Sequence, residues 1–200
     1  LKAGKSPQEI KSYRPVSLLS VVGKLAEAML GQRLQHWAEA ESALPQEQAG
    51  FRQGRSAEEA VAATWQHIFT GLNSTEKVRT IAVCVDFRAS FDRVWRSGAL
   101  ATLAGKRAPQ GWIRWLRGWL ADRRARVRWD AVLSKERVFS QGCVQGSPIS
   151  PVLHNLAISP IYEAVKLAVP EAKLVGFADD LTLLVAHRKV GVARELMQRA

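Results

Sequence analysis

Cysteine is nearly missing from this chain of 200 residues: there are two, Cys84 and Cys143, and no CxxC pair. That argues against a disulfide framework and against a zinc site. The four histidines, His36, His67, His154 and His187, are scattered and form no ligand spacing. No apolar run reaches the length of about 18 residues that marks a membrane span. The opening LKAGKSPQEI lacks the apolar core of a signal peptide. Neither a P-loop nor a GxGxxG is present, which removes the commonest nucleotide-binding folds. The chain begins without Met and stops inside a helical pattern, so the expectation is a segment of something longer.

Acidic residues are the scarcer charge, with 18 Asp and Glu against 29 Lys and Arg, a net charge of +11. Such an excess implies a polyanionic partner, nucleic acid first and an anionic membrane surface second. A solvated basic face is the plain alternative. The hydrophobic share, 47%, is that of a globular chain. The length suits one large domain or two small ones with a real core.

Residues 20–41 carry Val22, Leu25, Ala26, Met29, Leu30, Leu34 and Trp37 at helical spacing, bounded by Pro15 and Pro45. A second helix is expected over 56–72, where Ser56 and Glu59 form a capping box ahead of the apolar stripe Ala60, Val61, Thr64, Trp65, Ile68 and Phe69. VRTIAVCVDF (78–87) reads as a buried strand ending in Asp86. Residues 110–121 are helical, with Trp112, Trp115 and Trp119 read as a core face. Short strands are expected at 126–132 and 137–140, and a helix at 148–168 with Pro148 and Pro151 near its first turn. KLVGFADDLTLLVA (173–186) reads as two strands around a turn, and a helix starts at Val190. Strands and helices mix without βαβ regularity, so the class is α+β.

Asp179 and Asp180 sit side by side between apolar residues, where two like charges repel and burial is costly. Asp86 ends another such strand. If these strands are neighbours, three carboxylates converge at one sheet edge and need a counter-charge. Mg²⁺ takes oxygen ligands, often one or two carboxylates plus substrate phosphates. Two such ions stabilise the attacking and leaving oxygens of phosphoryl transfer. A solvated acidic turn is the plain alternative. QAGFRQGR (48–55) brings Arg52 and Arg55 on a loop ahead of a helix, where guanidinium forks match phosphate oxygens. QGCVQGSPISP (141–151) places Gly146 where backbone can approach a ligand. Residues 106–137 hold ten Lys or Arg and three acids, a patch suited to tracking a phosphate backbone. Trp129 is left open between core packing and base stacking.

Together and in this order, these segments resemble the reverse transcriptases of non-LTR (LINE-type) retrotransposons. YRPVSLLSVVGKLAEAML (13–30) and QAGFRQGRS (48–56) are similar to the two opening finger motifs, AVCVDFRASFDRVW (82–95) to motif A, QGCVQGSPISP (141–151) to motif B, and GFADDL (176–181) to motif C. The resemblance implies a right-hand polymerase, of which this chain is expected to hold the fingers and an antiparallel palm sheet flanked by helices, with the rest of the palm and the thumb falling beyond Ala200. It divides the chain into fingers at 1–77, palm at 78–105, a basic insertion at 106–140 and further palm at 141–200. It implies that Asp86 and Asp179 bind both of two Mg²⁺ ions (or Mn²⁺), with Asp180 completing the cluster and Phe87 adding a backbone carbonyl. Phe91 becomes the steric gate that crowds a 2′-OH. Arg52, Arg55, Gln145 and Gly146 become nucleotide-binding. Arg123, Arg124, Arg126 and Arg128 follow an RNA template and DNA primer, with dNTPs as substrates and no membrane.

An intracellular, nuclear location is implied by the same resemblance. Three departures stand out: Val144 replaces the usual Pro before Gln145-Gly146, RASFD (88–92) replaces SKAFD, and Trp95-Arg96 replaces an acidic–His pair. Two other readings stand beside it. One is a degenerate remnant that binds nucleic acid without polymerising. The other is a group II intron maturase, which more often carries Tyr where this chain has Phe177.

Overall fold

The computed structural model describes residues 4, 6–9, 12, 13 and 15–200. Part of the opening stretch, and Arg14 of the first finger motif, lie outside the described residues. Helices α1 (Val21–Ala40) and α2 (Ala57–Leu72) begin where Ser20 and Ser56 accept hydrogen bonds from the backbone N–H of Gly23 and Glu59. The capping box of α2 is half made: Glu59 pairs at 2.6 Å with Arg55. Strand β1 (Arg79–Asp86) leads into a 3-10 turn at Phe91–Arg93, then α3 (Arg96–Gly105) and α4 (Gln110–Leu120).

A two-stranded ribbon follows. Its base pairs β2 (Arg123–Ala125) with β5 (Arg137–Phe139), and its tip pairs β3 (Arg128–Trp129) with β4 (Val132–Leu133). The expected single strand over 126–132 is therefore broken in two. Asp130, with φ 49°, turns the chain, so Val132 belongs to the returning strand. The long helix α5 (Ser150–Ala168), the hairpin β6 (Lys173–Phe177) and β7 (Asp180–His187), and α6 (Val190–Arg199) complete the fold.

Strands β1, β7 and β6 form an antiparallel three-stranded sheet in that order. One face packs Leu181, Leu183 and Val185 against Tyr162 and Val165 of α5 and Ala193 of α6. A second core lies among α1, α3, α4 and the first half of α5, with Leu34, Leu103, Leu116, Leu153 and Leu156 fully buried. Helix α5 joins the two cores across Pro160. Proline cannot donate to Leu156 four residues back, and the Ser159 hydroxyl donates to that carbonyl instead, at 3.0 Å.

Burial differs from the sequence expectation at four elements. β1 is not a buried strand: it is the sheet edge, and Val83 and Val85 are each 38% exposed. The stripes of α1 and α2 are largely open, with Val22, Leu25, Met29, Val61, Trp65 and Phe69 all more than half exposed. On α4 the core face is Ile113, Leu116 and Leu120. The tryptophans flank it, and Trp115 stacks on Trp119 at 6.3 Å while remaining partly exposed. The segment 106–140, expected as one insertion, consists of α4, which is part of the core, and the exposed ribbon.

Candidate active site

The β1–β7 ladder ends with Asp86 directly opposite Asp180. Directly opposed residues share a sheet face, and like charges there destabilise the pair. Asp179, half-buried in the preceding turn, accepts a hydrogen bond from Ser90 at 3.3 Å. Among the described residues no basic side chain pairs with any of the three. Three hard oxygen donors without a counter-charge, at one end of a rigid ladder, suit a divalent cation. They do not form a finished cage: among the described residues, no three His, Cys, Asp or Glu side chains are grouped to hold a metal ion. Mg²⁺ does not need one, since substrate phosphates and water fill its shell.

The turn that presents Asp179 is held by a residue the sequence did not flag. Gln48, fully buried, accepts hydrogen bonds from the N–H of Gly50 (2.8 Å) and Ala178 (2.9 Å). Its amide donates to the Ala178 carbonyl (3.0 Å) and the Tyr162 hydroxyl (3.3 Å). This is the amide orientation that satisfies all four partners. Ala178 has φ 56°, a left-handed conformation that costs an alanine about 1 kcal/mol, and the clamp secures it. Gly50 is required for the fit, because a Cβ there would lie 2.0 Å from the Ala178 nitrogen.

Phe91 lies in the 3-10 turn just after β1. Its ring stacks on His154 (4.7 Å, 15°) and meets Phe51 edge-on (5.7 Å). Its carbonyl accepts from the Cys143 N–H at 2.7 Å, tying motif A to motif B. Gln145 donates to Asp92 at 2.9 Å, and its carbonyl accepts from the Ser17 N–H at 3.0 Å. Gly146 has φ 99°, a conformation for which glycine is suited, and lies against Ser17. A cleft of about 780 Å³ runs between α1, the Phe51 loop and the start of α5; none of the three carboxylates lines it.

The profile of the family "Reverse transcriptase (RNA-dependent DNA polymerase)" matches residues 2–199. The chain belongs to this family. Among its relatives, "Probable RNA-directed DNA polymerase from transposon BS" of Drosophila melanogaster is 37% identical over 92% of this chain. "RNA-directed DNA polymerase from mobile element jockey" of Drosophila funebris is 30% identical over 99% of it. The expected kinship with non-LTR retrotransposons is borne out by these relatives. The chain spans about a fifth of the length of each, 20% and 22%. The fold is that of a solved apo telomerase from Candida tropicalis truncated from its C-terminal domain. The TM-score is 0.57 at 16% identity, covering 88% of this chain and 36% of that one.

Within this reverse transcriptase fold the remaining expected residues fall in contrasting places. Arg52 is 8% exposed and committed internally. It donates to both Glu39 oxygens (2.8 and 2.5 Å) and to the carbonyls of Pro45 and Gln48. That leaves no free fork for a phosphate. Arg55 stands at the start of α2, bonded to Glu59 and Gln46 and still partly exposed. Arg123 lies over the Trp119 ring at 4.9 Å, Arg124 and Arg126 share Glu136 (3.2 and 3.8 Å), and Arg128 donates to the Asp130 carbonyl. Trp129 is 56% exposed at the ribbon tip, edge-on to Tyr13 at 4.9 Å.

Two further residues were not among the expected site residues. Arg96, one of the family departures, donates to the carbonyls of Leu120, Phe139, Gln141 and Gly142. Glu27, buried in α1, accepts from Trp119 Nε1 (2.7 Å) and Ser147 Oγ (2.5 Å), joining α1, α4 and motif B.

Proposed function

We propose that this chain is the catalytic segment of an RNA-directed DNA polymerase that adds dNTPs to a DNA 3′ end along an RNA template. The observation that carries the reading is the register of Asp86 against Asp180, with Asp179 one residue earlier on the clamped turn. Asp86, Asp179, Asp180 and the Phe87 carbonyl would hold two Mg²⁺ ions, with Mn²⁺ a substitute. When bound, these ions supply charge neutralisation at the triphosphate and activation of the primer oxygen.

The chain's own residues do the rest. Ser90 orients Asp179, and Gln48 fixes the backbone from which it projects. The Phe91 ring, held between two others, crowds a 2′-OH and so favours dNTPs. Gln145 and Gly146 line the nucleotide pocket, and Arg55 waits near the phosphates. Arg52 serves instead to brace the loop that carries Phe51. The exposed arginines of the ribbon follow the template–primer backbone.

The test is primer extension on an RNA template by the full-length protein. Asp179→Asn should lower dNTP incorporation by about a thousandfold, the worth of several kcal/mol of transition-state stabilisation. Incorporation at the unsubstituted rate refutes the assignment. Salt-dependent RNA binding by the unsubstituted protein with no incorporation points instead to a binding remnant.

A further inference from the structure

We propose that His154 and Phe51 are positioning residues for Phe91, so that sugar discrimination belongs to a unit of three rings. This rests on the reading of Phe91 as the residue that crowds the 2′-OH. The rings come from three separate parts of the chain: the loop before α2, the turn after β1, and α5. Each touches both of the others. His154 stacks on Phe91 at 4.7 Å and 15°, Phe51 stands edge-on to Phe91 at 5.7 Å, and Phe51 stands edge-on to His154 at 6.5 Å. The Phe91 ring is thus restrained by two other rings.

Two features are costly unless they serve that position. His154 is fully buried, and among the described residues neither ring nitrogen makes a hydrogen bond of ordinary geometry, Asn155 being its neighbouring polar side chain. An apolar side chain of similar volume would avoid that cost. What the imidazole contributes is a flat face for Phe91. A leucine would present branched methyls and push the ring outward or let it drop. Burial also lowers the imidazole's pKa from its usual value, although Asp179 and the neighbouring Asn155 pull it upward. Phe51, for its part, has φ 58°, a left-handed conformation rare in aromatic residues. Gln48 secures the preceding Gly50, so the strain is maintained by the same clamp that fixes the Asp179 turn.

The experiment measures kcat/KM for a matched dNTP and the corresponding NTP in the full-length protein, and reads their ratio. Phe91→Val is the control. His154→Leu and Phe51→Leu should each lower dNTP preference by about three- to tenfold, the worth of one aromatic pair. His154→Phe, which keeps a flat face, should retain most of it. A merely structural histidine would weaken both substrates together and leave the ratio fixed, which overturns the proposal. If Phe91→Val shifts the ratio and neither leucine variant does, the three-ring unit is wrong while the gate stands. If Phe91→Val leaves the ratio unchanged, the gate itself falls. Should His154→Leu fail to fold, Phe51→Leu, at a ring 44% exposed, decides alone.

Discussion

Replacing Gln48 with alanine removes one side chain and strands four buried partners. The N–H of Gly50, the N–H and carbonyl of Ala178, and the Tyr162 hydroxyl each lose a hydrogen bond of 2.8–3.3 Å. Leaving a buried polar group unsatisfied costs about 1–3 kcal/mol, and partial relaxation favours the lower figure. Four groups at about 1 kcal/mol each give a loss of roughly 4 kcal/mol, a large share of a typical domain stability of about 5–15 kcal/mol. At roughly 2–4 °C per kcal/mol for a domain of this size, the midpoint of thermal unfolding should fall by about 10 °C. The assay is urea and thermal denaturation of Gln48→Ala, with Gln48→Glu beside it. Glutamate keeps both acceptor contacts but cannot donate when ionised, so the pair separates the two halves of the clamp. A Gln48→Ala loss below about 1 kcal/mol would show that the contacts are geometric neighbours without energetic weight.

Two other outcomes follow. Arg124 and Arg126 share one exposed carboxylate, a contact worth little that a phosphate can displace. Changing both to Gln should flatten the plot of log affinity for nucleic acid against log salt by about 1.4–1.8 if each neutralises one phosphate, and an unchanged slope removes the ribbon from the binding surface. The Arg52 guanidinium beside Glu39 holds that carboxyl below its usual 4.5. Its contribution to stability is therefore fully present above pH 4.5 and lost as the pH falls through the lowered value. Arg52→Gln should remove this acid sensitivity, read from unfolding midpoints between pH 3 and pH 6, about the range of carboxylate titration.

The elements with strong local signals were legible in the sequence. Ser20 and Ser56 start helices by chemistry confined to one turn, and the apolar runs on either side of Asp179 and Asp180 read as a hairpin. α3 was not legible. RSGALATLAG carries two glycines, and its helix is settled by contact: Gly98 lies under the Trp95 ring so closely that a Cβ would meet it at 2.2 Å. Exposure was also misjudged. The stripes on α1 and α2 and the apolar run of β1 have the periodicity of buried faces, but periodicity shows which residues share a face and not what covers it. In the site, Asp86, Asp179 and Asp180 could be paired from sequence because strands and turns carry them. Gln48 could not, since its partner Ala178 is 130 positions away. Arg52 misled for the related reason that a guanidinium suits a carboxylate as well as a phosphate.

Arg96 reaches carbonyls on both sides of the ribbon, Leu120 before it and Phe139, Gln141 and Gly142 at its return. One guanidinium thus closes the ribbon at its root, so that what lies beyond is mechanically an appendage. Its arm can be lengthened, shortened or recoloured with different charges while the root stays shut and motif B keeps its place. Selection, or an engineer, can therefore exchange the proposed nucleic-acid grip as a cassette while the carboxylate cluster stays as it is.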